Sequence, residues 1–179
     1  MKGHPDVIEL LNEALTAELT AVNQYFLHAR VLKNWGYDRL AETVYRESIG
    51  EMRHADALVQ RVLFLDGLPN LQRYGKVNVG ETVVEILKLD LASELDNVRL
   101  YNAGIERCRS LGDNGSRELL EQILLETEGH VDWLESQLEL VKQLGEAHYQ
   151  AQQIRPGDIV EEPRAGHGVV GGHGSGSHG

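Results

Sequence analysis

The sequence contains two copies of one pattern of polar and apolar residues, separated by 76 positions. The matching pairs are Glu18 and Glu94, His54 and His130, Tyr25 and Tyr101, Leu19 and Leu95, and Leu58 and Leu134. A repeat of this length with apolar residues at helical spacing predicts that the chain folds as two copies of one helical hairpin. One pair breaks the repeat, because Glu51 in the first copy corresponds to Thr127 in the second.

Four long stretches carry apolar residues every three or four positions, which is typical of amphipathic helices. The predicted helices cover residues 5–34, a stretch from a cap at Asp38 to a stop before Gly67, 81–111 and 117–144, and a short helix covers 146–154. The loop at 68–80 spans about 43 Å when extended, close to the length of a helix of about thirty residues. We therefore predict an all-α, ferritin-like four-helix bundle, with a long crossover between its second and third helices and a short fifth helix.

Length and composition support one domain with a substantial core, since the chain has 179 residues and 41% of them are hydrophobic. Charges interrupt every apolar stretch, which disfavours a membrane partner. A single cysteine, Cys108, cannot form an internal disulfide. The net charge of −11 repels nucleic acid and attracts cations. We expect a cytoplasmic protein that binds metal.

The repeated polar residues have the chemistry of metal ligands. Residues three apart share a helix face, so Glu51 pairs with His54 and position 127 pairs with His130. Carboxylates and imidazoles suit divalent first-row metals, and two Glu with two Glu-x-x-His pairs form the ligand set of di-iron bundles. One such pair arises easily by chance on an acidic helix, but a repeat of three ligand types does not. The candidate metal ligands are Glu18, Glu51, His54, Glu94 and His130.

The chain closely resembles the bacterioferritins from Met1 to about Arg155. The resemblance is carried by LTAELTAVNQY (15–25), ESIGEMRHAD (47–56), LFLDGLPNLQ (63–72) and EGHVDWLE (128–135). It implies a cage of 24 subunits that oxidises Fe(II) with O2 or H2O2 and stores a ferric mineral core. It also implies that Glu18 and Glu94 are terminal ligands, that Glu51 is a bridge, and that His54 and His130 each bind one iron.

The same resemblance implies a second bridging Glu at the position of Thr127. Three carboxylates leave two Fe(II) ions one charge short of balance, and a threonine hydroxyl is a poor, neutral ligand. We therefore expect an incomplete di-iron site and weak or absent ferroxidase activity. The alternative is a competent ferroxidase in which Glu126 or a water replaces the bridge, although we expect Glu126 to be a solvated surface residue.

Met52 lies about 100° around the helix from Glu51, so it faces a different surface. A methionine usually fills apolar gaps. The resemblance implies instead that Met52 is an axial ligand of haem b, shared between two subunits across a twofold interface. A thioether is a suitable ligand for haem iron.

Two further departures concern Arg46 and Gly50, where related proteins commonly have His and Asp. With Thr127, they favour a haem-bearing subunit in a homo- or hetero-oligomer of 24 subunits, assembled with a second, ferroxidase-active subunit and served by a small reductant protein. A non-storage haem bundle for electron transfer is the other alternative, but it needs neither the crossover nor the fifth helix.

The sequence divides into two regions, a bundle with its short helix at 1–155 and a tail at 156–179. The tail is rich in Gly and His and has little apolar content, so we expect it to be disordered. Its spaced histidines could chelate metal weakly, but a solvated extension is the favoured interpretation.

Overall fold

The computed structural model describes residues 1–155, and the predicted tail lies outside them. This part of the chain contains five helices and no strands: α1 (Pro5–Asn34), α2 (Asp38–Phe64), α3 (Val83–Ser110), α4 (Asn114–Leu144) and α5 (Glu146–Gln153). Helices α1 and α2 form one hairpin, and α3 and α4 form the other. The predicted all-α architecture, with its long crossover and short fifth helix, is confirmed.

The two hairpin turns occupy equivalent positions of the repeat. Gly36 and Gly112 both have positive φ angles, 86° and 72°, which glycine adopts without a steric penalty. The following helices differ in their caps, because Asp113 accepts a hydrogen bond from the backbone N–H of Ser116, whereas Tyr37 makes no side-chain cap. Asp38 is therefore the first helical residue and not the predicted cap.

Helix α4 begins three residues earlier than predicted. Its predicted start at residue 117 rested on the turn-forming sequence Gly-Asp-Asn-Gly-Ser, but the helix includes Gly115 and Ser116. The Asp113 carboxylate stabilises this first turn, and it also accepts a hydrogen bond of 2.7 Å from Arg61 on α2. This cap gives the Ser116 N–H a hydrogen-bond acceptor, since the first N–H groups of a helix have no partner within it.

The apolar core consists of two clusters at opposite ends of the bundle. The first includes Leu11, Leu15, Leu58, Val62, Cys108 and Leu120. The second includes Leu32, Leu40, Val44, Ile86, Leu87 and Tyr149, the last of which joins α5 to the bundle. A layer of buried polar side chains lies between the two clusters. No helix within residues 1–155 is both long enough and apolar enough to cross a membrane.

The crossover occupies residues 65–82 and is held at its far end by buried side chains. The backbone N–H of Gly80 donates to Nε2 of His28, whose Nδ1 lies 2.8 Å from the Asp90 carboxylate. Gln24 donates to the same carboxylate, and its amide oxygen accepts from the N–H of Asn78. Neither His28 nor Asp90 belongs to the repeat, so the repeat does not predict this contact.

Candidate metal centre

The five predicted ligands lie together in the polar layer. Helix α1 contributes Glu18, α3 contributes Glu94, α2 contributes Glu51 and His54, and α4 contributes His130. All five side chains are buried, and both Glu18 and Glu94 are completely inaccessible to solvent. Each stands on the inner face of its helix because the apolar residues one turn away enter the core on that same face.

The first group consists of Glu18, Glu51 and His54, whose ligand atoms all lie within 4.8 Å of one another. Nδ1 of His54 is 3.0 Å from Oε2 of Glu51 and 3.5 Å from Oε2 of Glu18. Burial alone would lower the pKa of His54, but the hydrogen bonds and charges of Glu18 and Glu51 outweigh it and raise that pKa to about 11. The two carboxylates thus favour a positive charge at the position of the imidazole.

The second group consists of Glu51, Glu94 and His130, again with ligand atoms within 4.8 Å of one another. Nδ1 of His130 is 2.9 Å from Oε1 of Glu94. Glu51 belongs to both groups, so its carboxylate lies between two candidate metal positions. This shared position is the geometry that a bridging carboxylate requires.

The donor set fits divalent cations. Within the described residues, the buried Oε2 of Glu94 has no hydrogen-bond partner, and the buried Oε2 of Glu18 has only its 3.5 Å contact with His54. This is costly for carboxylates removed from water. Burial raises the pKa of Glu94, and burial together with the charge of Glu18 raises the pKa of Glu51 to about 8. Bound cations would satisfy the two oxygens and relieve the repulsion between the carboxylates.

Two tyrosines support the terminal carboxylates in a reciprocal arrangement. The Tyr25 hydroxyl on α1 donates to Glu94 on α3, and the Tyr101 hydroxyl on α3 donates to Glu18 on α1. Burial and the nearby carboxylates raise the pKa of both tyrosines well above the usual range, so both hydroxyls remain donors. The repeat contained this pair, but sequence alone did not reveal what the tyrosines contact.

Thr127 is buried at the position equivalent to Glu51. Its hydroxyl donates to the backbone carbonyl of Ile123 at 2.9 Å, a contact within its own helix. Threonine often forms such a bond to the carbonyl four residues earlier. The side chain therefore satisfies its own donor and provides no negative charge to the second group.

Glu126 contacts the centre from outside. Its Oε2 lies 2.9 Å from Nε2 of His54, the nitrogen that faces away from Glu51, and its side chain is 70% exposed. Glu126 is therefore exposed to solvent, as expected. Its carboxylate also contacts the outer nitrogen of His54, which was not expected. Glu126 belongs to neither group of candidate ligands.

Glu47 is a second outer carboxylate, and it was not among the predicted ligands. It precedes Glu51 by one helical turn on α2, and its Oε2 lies 3.8 Å from Nδ1 of His130. Burial raises its pKa, although its side chain is still 36% exposed. Its four-residue spacing from Glu51 is the only signal in the sequence that it could face the centre.

Met52 faces away from the metal ligands, as predicted, and its side chain is 48% exposed. It lines a cavity of about 200 Å³. The other lining residues are Leu15, Leu19, Ala55, Asp56, Val59 and Leu71. The exposed thioether therefore lies beside a largely apolar surface.

The two remaining departures lie on the exposed side of α2. Arg46 donates to the Thr43 hydroxyl at 3.1 Å and makes no contact with the candidate ligands. A side chain at Gly50 would meet open space, so packing does not require glycine there. Neither position provides a ligand.

The sequence matches the family model described as a ferritin-like domain over residues 8–144. A bacterioferritin of Mycobacterium leprae is 52% identical over 152 residues, which cover 85% of this chain and 96% of that protein. A bacterioferritin of Brucella melitensis is 47% identical over 161 residues, covering 90% of this chain and all of that protein. The solved structure of Mycobacterium tuberculosis bacterioferritin, BfrA, superposes with a TM-score of 0.85 at 50% identity, over 86% of this chain and 97% of that one.

Proposed function

This chain belongs to the bacterioferritins, within the ferritin-like family, and we propose on this premise that it stores iron as a subunit of a multi-subunit cage. The buried carboxylates and histidines supply ligands suited to iron. The net charge of −11 attracts cations to the protein surface. We further propose that the cage has 24 subunits and encloses a ferric mineral core.

The subunit is a weak ferroxidase or none, and Thr127 is the observation that supports this part of the proposal. A buried hydroxyl bonded to the Ile123 carbonyl stands where a second bridge would be. Glu18, Glu51 and Glu94 supply three negative charges against the four positive charges of two Fe(II) ions. Reduction of O2 or H2O2 by two electrons needs both irons held together, and here Glu51 is the only shared carboxylate.

The test is the rate of Fe(II) oxidation by the assembled protein, followed by stopped-flow absorbance. Thr127→Glu should introduce a rapid phase, faster by on the order of tenfold or more, since even groups that only orient metal ligands change activity about 10–100-fold. Thr127→Gln is the matched control, because it has the same length but adds no charge. Co-assembly with a ferroxidase-active bacterioferritin subunit should also give rapid oxidation.

A rapid phase at two irons per subunit in the unmodified protein would overturn this assignment. The alternative would then be a competent ferroxidase with a water in place of the bridge. Glu126 is a weaker substitute, because its carboxylate already contacts the outer nitrogen of His54. The test therefore separates a storage subunit that depends on a partner from one that oxidises iron alone.

We propose in addition that the subunit binds haem b, which would be held by Met52 of this subunit and by Met52 of an equivalent subunit. The exposed thioether and the apolar cavity beside it are the supporting features. Met52 would hold the haem iron, and the neighbouring leucines would cover the ring. The bound group supplies one-electron redox chemistry, which suits electron transfer from a small reductant protein to stored iron.

The haem proposal predicts that Met52→Leu lowers haem content and removes the haem absorbance, while the helical content and assembly are unchanged. Met52→His is the matched variant, since it retains an axial ligand but should shift the absorbance. Unchanged haem content and spectrum in Met52→Leu would show that Met52 is not the ligand. A non-storage electron-transfer bundle would bind haem but fail to accumulate iron in the same preparations.

A further inference from the structure

We propose that Glu47 supplies the carboxylate that Thr127 lacks, by binding the divalent metal held by Glu94 and His130. The inference rests on the proposed metal binding and names a further ligand for it. It concerns the binding of the second metal and not the rate of its oxidation, so the two can be tested separately.

The position of Glu47 is the first observation. Residues four apart share a helix face, so Glu47 and Glu51 extend from α2 toward the same side of the bundle. Nδ1 of His130 lies 2.9 Å from Oε1 of Glu94 and 3.8 Å from Oε2 of Glu47. Two carboxylates from different helices therefore approach the nitrogen that is the candidate metal ligand.

A second observation points to a cation at this place. Oε2 of Glu94 has no hydrogen-bond partner although the side chain is completely buried. A cation between Glu51, Glu94 and His130 would satisfy that oxygen, yet three ligands leave a first-row divalent ion short of the number it usually takes. Besides Glu94, the carboxylate of Glu47 lies within 4 Å of His130, at 3.8 Å.

The other candidates for this role are engaged elsewhere. Thr127 donates to the Ile123 carbonyl, and Glu126 contacts His54 in the first group. Within residues 1–155, the approach to His130 is the one close polar contact of the Glu47 carboxylate. Glu47 stands beside the second group and not inside it, so its half-exposed side chain must turn toward the metal on binding.

The charge balance follows from this assignment. With Glu47, four carboxylates face two divalent cations, which restores neutrality without a carboxylate on α4. Glu47 does not restore the second link between the metals, because it approaches only His130. The subunit should consequently bind two metals and still oxidise iron slowly.

Anaerobic titration of the assembled protein with Co(II), which absorbs in the visible range when bound, tests the assignment. We expect two binding steps per subunit in the unmodified protein. Glu47→Gln should weaken one step by on the order of tenfold or more. Glu128→Gln, which removes the same charge from an exposed position on α4, is the matched control and should leave both steps unchanged.

The Thr127→Glu background provides the decisive comparison. If Glu47 supplies the carboxylate that Thr127 lacks, Glu47→Gln should have less than about a twofold effect once Thr127→Glu is present. A second step unaffected by Glu47→Gln, or weakened equally in both backgrounds, would overturn the proposal. Failure of the proposed oxidation defect would appear in the iron oxidation rates instead, and not in these titrations.

Discussion

The two halves of the molecule share one scaffold but differ in chemistry. The first hairpin provides Glu18, Glu51 and His54, whereas the second provides Glu94 and His130 with Thr127 in the place of the third ligand. The fold therefore does not depend on a complete ligand set. A repeat can keep its turns, tyrosines and core while one half changes its metal chemistry.

The reason lies in how Thr127 satisfies its polar group. A buried hydroxyl is costly unless it forms a hydrogen bond, and the Ile123 carbonyl provides that bond inside α4. The substitution also removes a negative charge from a layer in which buried carboxylates already repel one another. Threonine is therefore compatible with the metal-free fold even though it is unsuited to the metal-bound centre.

Glu51 belongs to the candidate metal groups of both halves. Its substitution should therefore have the largest effect on metal binding. Glu51→Gln should weaken Co(II) binding at both positions, each by on the order of tenfold or more, because Glu51 belongs to both groups. Glu18→Gln and Glu94→Gln should each weaken one position. The measurement is anaerobic titration of the assembled protein. Loss of a single position in Glu51→Gln would contradict its shared role.

The tyrosines give a smaller difference between the halves. Among the hydrogen bonds of residues 1–155, Oε1 of Glu18 accepts from Tyr101 alone, whereas Oε1 of Glu94 accepts from Tyr25 and from His130. Tyr101→Phe should therefore destabilise the metal-free protein by about 2 kcal/mol, and Tyr25→Phe by less, since an unsatisfied buried acceptor costs about 1–3 kcal/mol.

Calorimetry of the metal-free assembly measures this difference as a shift in Tm. Saturating Zn(II) should reduce the difference between the two variants, because the metal then satisfies the carboxylates. Equal losses in Tyr25→Phe and Tyr101→Phe would show that the hydrogen bond from His130 does not compensate for the missing hydroxyl.

The same comparison shows which contacts could be predicted from the sequence. The repeat brought the ligands of both halves into view because helical spacing fixes which residues share a face. Contacts between helices were less accessible, since they depend on how each helix is rotated about its axis. Glu47 on α2 contacts a histidine of α4, and Glu126 on α4 contacts a histidine of α2. Neither contact follows from the spacing within one helix.

Local signals were also overridden at one helix boundary. Gly115 and Ser116 favour a turn, but the cap from Asp113 and its contact with Arg61 recruit both into α4. The buried pair of His28 and Asp90 escaped notice for a different reason. Its partner is the backbone of the crossover, and no sequence pattern shows where a long loop will pass.

Metal binding should also depend on pH, and this dependence distinguishes the protonation of the two halves. A metal-bound histidine or carboxylate must lose its proton. With pKa values of about 11 for His54 and about 8 for Glu51, both groups are protonated at pH 7 in the metal-free protein. Binding therefore releases protons, and the affinity rises as the pH rises.

The slope can be predicted from these pKa values. Each displaced proton changes the affinity about tenfold per pH unit, or about 1.4 kcal/mol. Above pH 8 the first group loses one proton, from His54, and below pH 8 it loses a second, from Glu51. The slope of Co(II) affinity against pH should consequently be steeper between pH 6.5 and 7.5 than between pH 8.5 and 9.5. The difference corresponds to about one displaced proton, that of Glu51.

The single-group variants compare the two halves directly. Glu94→Gln retains the first group, in which two carboxylates approach His54 at 3.0 and 3.5 Å. Glu18→Gln retains the second, in which the pKa values of Glu94 and His130 are raised in the same direction. Three carboxylates lie within 4.0 Å of the His54 nitrogens, whereas two lie within 4.0 Å of His130. We therefore expect the shallower slope in Glu18→Gln. An affinity independent of pH from 6.5 to 8.5 in both variants would mean that neither histidine carries a displaceable proton.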